Sequence, residues 1–277
     1  MVPTLSMVFM VVVMLICIVV PFGAMLFTWS RRNTDGSRRF PRLWRAFWCG
    51  ALAFTVSQVL TRLPLMTLVV PQLPEAVAGF LVSGPVASFT AGLFEETGRL
   101  VVMLLLLKAF HRWIDGVSFG LGHGGIEAIL LIGLANVNNL VLAATINAGQ
   151  WDVIAQALPP EAADQLFTAL TQTAPAMFLL GGVERLAAIT LHIACSLIVL
   201  AGIVHGRKLV AWVVAVLVHG LFNLVAVSLA GTGISVVWVE VVLVALAIAL
   251  WVGIMRARRA FPAAIADSEV APATRLG

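Results

Sequence analysis

The sequence predicts an all-α protein, a polytopic transmembrane helical bundle of about seven spans with its N-terminus outside and its C-terminus inside. Three observations lead there. Of 277 residues, 61% are hydrophobic and 11% are charged, against about 25% charged in a soluble domain. The apolar residues come in continuous runs of about twenty, the length a helix needs to cross a bilayer, rather than the alternating stretches of about ten that mark a transmembrane barrel. Finally, the basic residues alternate from one connection to the next.

Taken in order, the runs cover residues 7–27, 43–61, 77–107, 117–142, 177–204, 209–229 and 234–254. The third is long enough to tilt or to begin as an interfacial turn around Pro85. Arg31, Arg32, Arg38, Arg39, Arg42 and Arg45 follow the first run. Lys108 and Arg112 follow the third, Arg207 and Lys208 the fifth, and Arg256, Arg258 and Arg259 the seventh. The alternate connections carry Arg62 beside Glu75, Asp152, Glu161 and Asp164. Loops rich in lysine and arginine stay in the cytoplasm, which sets the orientation. The absence of a basic segment before Cys17 argues against a cleaved signal peptide.

One domain over residues 1–260 is therefore expected, with a catalytic core over 77–229 and a disordered cytoplasmic tail over 261–277, in a multi-pass protein of the plasma membrane. Residues 150–175 form the one sizeable outer connection. It reads either as an ordinary loop or, through Leu158, Leu166, Phe167 and Leu170 after Pro159-Pro160-Glu161, as an amphipathic lid on the membrane surface. Trp29, Trp44, Trp48 and Trp113 at inner edges, with Trp151 and Trp238 at outer ones, form an interfacial belt. Cys17, Cys49 and Cys195 fall in or beside apolar runs and read as small buried hydrophobes. The net charge of +4 sits beside the spans, so membrane topology explains it and a nucleic-acid partner is not expected.

Function is legible in the ionisable residues inside the spans, where charge is costly. Glu95, Glu96 and Arg99 lie in the third run, His123 and Glu127 in the fourth, Glu184, Arg185 and His192 in the fifth, and His219 and Asn223 in the sixth. At about 1.5 Å of rise per residue, Glu95, Glu96, His123, Glu127, His192, His219 and Asn223 lie roughly 12–22 Å from the inner boundary, in one slab. His123 shares a helix face with Glu127, and His219 with Asn223, because each pair is four residues apart; Glu95 and Arg99 have the same spacing and can pair. Gly120, Gly122, Gly124 and Gly125 around His123, and Gly181 and Gly182 before Glu184, let these helices approach closely in lipid. Three imidazoles with carboxylate suit Zn²⁺, and a metal that activates water beside a glutamate base gives a hydrolase. The expected metal ligands are His123, His192 and His219. Glu127 reads as the carboxylate that orients a ligand, Arg185 neutralises Glu184, and Arg99 neutralises one of the paired glutamates.

At these residues the sequence resembles the YhfC family of intramembrane metalloproteases, related to the CAAX-protease and bacteriocin-processing group and to PrsW. The resemblance rests on Glu95-Glu96-Thr97-Gly98-Arg99, on Gly120-Leu121-Gly122-His123-Gly124-Gly125-Ile126-Glu127-Ala128, on Glu184-Arg185 with His192, and on His219-Gly220-Leu221-Phe222-Asn223. It implies that Glu95 or Glu96 activates water, and that His123 and His219, assisted by Asn223, take metal or oxyanion roles. The substrate would be a peptide or membrane protein. Two residues separate the glutamate pair from Arg99 where the prenyl-protease pattern has three, so prenyl-protein cleavage does not carry over.

Two other functions use the same groups: a zinc-dependent lipid amidase of the ceramidase type, and an ion-coupled transporter in which the polar groups form a relay. A retinal protein is excluded because the seventh run has no lysine. Serine proteolysis is disfavoured because Gly116-Val117-Ser118 and Gly233-Ile234-Ser235 lie at membrane edges.

Overall fold

The structure is a computed structural model that describes residues 1–36, 39–40 and 42–261. Arg38 and nearly all of the expected tail therefore lie outside the described residues, among which there are helices and no β-strand. Six helices are long and apolar enough to cross a membrane, and seven when one bent pair counts as a single span. The protein is a multi-pass integral membrane protein.

α1 covers Thr4–Ser30 and α2 begins at Leu43–Phe54. The sequence places the end of the second span at residue 61, but the helix runs on to Gln72 through π-helical turns at Thr55–Arg62 and Leu65–Val69. The reason is Pro64, whose ring clashes with the carbonyl four residues back. A wider turn relieves this: the amide of Leu63 and the hydroxyl of Thr61 both donate to carbonyls five residues earlier, on Gln58 and Val56.

The third expected span is two helices, α3 at Glu75–Val82 and α4 at Gly84–Leu106, bent by 68°. Ser83 between them is extended, at φ −59° and ψ 145°, and Pro85 stands in the first turn of α4, where its missing N–H is not needed. The fourth span is α5 at Trp113–Glu127, a π-helical turn at Ala128–Gly133, and α6 at Leu134–Asn147. Asn136 donates to Ile132 O at 2.9 Å, a local backbone bond.

The connection over residues 150–175 is helical. α7 covers Trp151–Ala155 and α8 covers Pro160–Gln172. Leu170 is buried with Val2, Met10, Leu142 and Ile146, and Leu166 and Phe167 pack on the same cluster, so α8 docks on the ends of α1 and α6. The last three spans are α9 at Met177–Val204, α10 at Lys208–Gly231 and α11 at Val236–Ala257.

α9 is the axis of the bundle. In its most apolar stretch 72% of residues are buried, against 22–28% in the other spans that cross unaided. The basic connections gather at one end, where Arg45 donates to Leu106 O at 2.9 Å and His205 Nε2 meets Ala260 O at 2.9 Å. Such contacts satisfy carbonyls left open at helix C-termini. Trp44 and Trp48 cluster with Phe22 and Phe47 at this end, and Trp113 Nε1 donates to Ile254 O. Phe261, expected to begin the tail, is instead buried in the main core.

Candidate metal centre

Close helix approach assembles the site, and two glycines of α5 make it possible. A Cβ on Gly122 would stand 1.8 Å from Phe47 O of α2, and one on Gly120 would stand 2.4 Å from the Cα of Ile193 in α9. Any side chain at either position would hold α5 away from both neighbours. With α5 seated, His123 and Glu127 face α9, while α4 and α10 close the other side.

The deepest part is a sealed cluster around Arg99, which is fully buried. Its Nε donates to Glu96 Oε2 at 2.7 Å and its Nη2 to Glu96 Oε1 at 3.1 Å. Arg99 thus pairs with Glu96, not with Glu95, although Glu95 is the residue four positions away. The guanidinium also reaches α9: Nη1 donates to His192 O at 3.2 Å and to Ser196 Oγ, and Nη2 lies 3.1 Å from His192 Nδ1. Glu96 Oε1 meets His219 Nδ1 at 2.9 Å. An ionised carboxylate only accepts, so Nδ1 carries a proton, and in the neutral ring His219 Nε2 keeps the lone pair. That lone pair faces Glu95, with Nε2 4.0 Å from Oε2.

Glu95 has no cation partner. Its Oε2 meets His123 Nε2 at 3.0 Å, and its Oε1 accepts from Gln58 Nε2 at 3.1 Å. His123 Nδ1 is buried without a hydrogen bond. On the other side of His192, Nε2 lies against Glu127 Oε2. Arg185 Nη1 donates to Glu127 Oε1 at 3.0 Å, and its Nη2 donates to Glu184 Oε1. Arg185 therefore neutralises Glu127 as well as Glu184. A cavity of about 200 Å³ reaches this layer, lined by Gln58, Glu95, Glu127, His192, His219 and Asn223 among others.

Two sets of donors lie close enough to share an ion, with their ligand atoms all within 4.8 Å: Glu95, His192 and His219, and Glu96, Cys195 and His219. The second set fits poorly, because the Arg99 guanidinium already occupies both oxygens of Glu96. The first set offers one carboxylate and two imidazoles, the donor types that Zn²⁺ takes in hydrolytic sites. Its carboxylate is also the one that no guanidinium answers. His219 is oriented by Glu96 through its other nitrogen, as a metal-binding histidine ordinarily is by a carboxylate. The first set fits a metal ion through Glu95 and His219 Nε2; His192 completes it once its Nε2, which now lies against Glu127 Oε2, gives its proton to that carboxylate.

All ten residues singled out from the sequence lie in or beside this network. The rings of His123, His192 and His219 stand in a row, with centroids 4.6 Å and 5.2 Å apart. The close donor set nevertheless contains Glu95 where the sequence suggests His123. Sequence reasoning passed over Gln58, which the cavity exposes and which bonds Glu95. The signal was present, since an amide inside an apolar run has the same cost argument as a charge.

The YhfC intramembrane metalloprotease family matches residues 16–248, which include every residue of the network. The chain belongs to this family. It is 35% identical over 221 residues to the uncharacterized membrane protein YhfC of Bacillus subtilis (strain 168), an alignment covering 76% of this chain and 80% of that protein. No solved structure matches the chain. Membership in a metalloprotease family implies a metal, and the match covers both the glutamate pair of α4 and the histidines of α5, α9 and α10.

Proposed function

We propose that this protein is a zinc-dependent intramembrane protease that hydrolyses a peptide bond in a membrane-embedded or juxtamembrane substrate. The observation that carries the reading is the grouping of Glu95, His192 and His219, buried and within 4.8 Å of one another, on the wall of a cavity inside the bundle. Glu95, His192 and His219 would hold the ion, with His123 fixing the Glu95 carboxylate and Glu96 fixing His219. A Zn²⁺ ion bound there supplies Lewis-acid activation of water and of the substrate carbonyl.

The protein's own groups do the rest. Glu127 is the general base. Its Oε1 is held by Arg185, while Oε2 has no regular hydrogen bond and lies against His192. From there Oε2 takes a proton from water and returns it to the leaving amine. Asn223, one turn beyond His219 on α10, lines the same cavity and offers its amide N–H to the developing oxyanion. Arg99 neutralises Glu96 and ties α4 to α9, so that His219 and His192 stay in register.

The test is elemental analysis of detergent-purified protein, with peptidase assays on the same samples. Wild type should hold about one zinc per chain, as catalytic zinc sites do. His219→Ala and Glu95→Gln should lose the metal. Glu127→Gln should keep it and lose turnover, because only the base is removed. If Glu95→Gln keeps zinc and loses turnover, Glu95 is the base and His123 takes its place as ligand. Folded wild type that takes up no zinc when supplied with it overturns the reading.

A further inference from the structure

Gln58 plays no part in the chemistry proposed above, yet it stands on the cavity wall beside Glu95. Its position is built. It lies in the π-helical turn that Pro64 imposes on α2, and π-helical turns recur at functional sites. The turn is pinned against α4, where a Cβ on Gly98 would meet Ser57 Cβ at 2.8 Å, and Ser57 Oγ donates to Ala53 O at 2.7 Å.

The two ends of the Gln58 amide have different fates. Nε2 donates to Glu95 Oε1 at 3.1 Å. Glu95, as a carboxylate, can only accept, so the amide cannot turn its oxygen that way. Oε1 is left buried without a partner, on a residue 7% exposed. A buried acceptor is expected to be satisfied, and one on a residue that lines a cavity can meet a donor that the cavity admits. The donor that a peptide brings to such a wall is its backbone N–H.

We infer that Gln58 is a substrate-positioning residue, whose Oε1 accepts a hydrogen bond from a backbone N–H of the bound peptide next to the bond that is cut. The inference rests on the protease reading. The amide then has two roles at once: Nε2 steadies Glu95, and Oε1 sets the register of the substrate against it. A lipid amide has one N–H, and that is in the bond that is cut. A peptide brings further N–H donors on its neighbouring residues, where a lipid has only hydroxyls to offer.

The experiment uses the zinc-loaded full chain in detergent and a library of quenched-fluorescent single-span peptides. A peptide that wild type cleaves is remade with the backbone N–H groups flanking the cut, but not the scissile one, replaced one at a time by ester oxygen. Wild type should lose about tenfold in kcat/KM at one of these positions, the scale of one buried hydrogen bond. Gln58→Met, which keeps the shape but lacks both the acceptor and the donor to Glu95, should lose at least about tenfold on the all-amide peptide. It should lose nothing further with the ester at that position.

Equal ester penalties in Gln58→Met and wild type would overturn the inference while leaving the protease standing. So would a wild-type scan in which no ester costs more than about twofold, a result that needs no variant to fold. Zinc-loaded wild type that cleaves no peptide of the library removes the protease reading, and the role of Gln58 with it.

Discussion

The two arginine clusters differ in what surrounds them. Arg99 is wholly enclosed and binds one carboxylate with two nitrogens, then a carbonyl, a hydroxyl and an imidazole. Arg185 holds two carboxylates, and one of them, Glu184, has a side chain 40% exposed. His192 joins the two, touching Arg99 through Nδ1 and Glu127 through Nε2. The contrast separates an enclosed charge cluster from one that borders the cavity. A charge pair sealed in the interior has no route to water if it is broken, whereas a pair beside a cavity can rearrange around a ligand.

Removing one partner tests this most severely. Arg99→Ala should destabilise the protein by about 3–5 kcal/mol, because it leaves Glu96 buried and unpaired. The fall in Tm measured in detergent should be large, and the metal should be lost with the alignment of His219. Replacing both partners, as in Arg99→Met with Glu96→Leu, should recover much of the stability and none of the zinc binding. A double variant as unstable as Arg99→Ala alone would mean that the contacts of Arg99 to α9 matter more than its charge.

Gly122→Ala comes next and should disturb both clusters together, since the new Cβ meets Phe47 O and pushes α5 from α2. The cost of such overpacking is about 1–3 kcal/mol. Because His123 and Glu127 move with α5, turnover should fall more than Tm does. An unchanged kcat/KM would show that the seat of α5 does not set the site.

A smaller stability effect than that of Arg99→Ala is expected for Arg185→Ala: Arg185 is itself buried, but Glu184 has a side chain 40% exposed and Glu127 lines the cavity, so water can reach both carboxylates once the guanidinium is gone. Zinc content should be retained and turnover reduced, because Glu127 loses the group that holds it. A loss as large as that of Arg99→Ala would erase the distinction between the clusters.

Much of the site was legible in the sequence because the bilayer makes polar residues conspicuous. Glu95, Glu96, His123, Glu127, His192 and His219 stand out from apolar runs, and helix rise alone puts them at one depth; Arg185 stands out too, about two turns away along α9. Partners were less legible. Spacing made Glu95 the natural partner of Arg99, yet Glu96 takes the guanidinium, because α10 brings His219 and α9 brings Ser196 to that side of α4. Gln58 was missed for a related reason: an amide on its own helix says nothing until another helix places a carboxylate beside it. Proline marked the bend between α3 and α4 in advance, because Pro85 announces itself in any sequence. The widening of α2 before Pro64 and of the fourth span after Glu127 was not announced by hydropathy, which is blind to the pitch of a helix.

By itself, the sequence determined that this chain is a membrane-spanning helical bundle, roughly where most of its spans run, and which polar side chains interrupt them. Those follow from hydropathy and helix geometry, which are local. Only the tertiary structure decided that α9 is the axis, that Arg99 belongs to Glu96, and that Glu95 rather than His123 joins His192 and His219 in the close donor set. These depend on the rotation of each helix about its own axis, and that rotation is set by where glycines let two backbones touch.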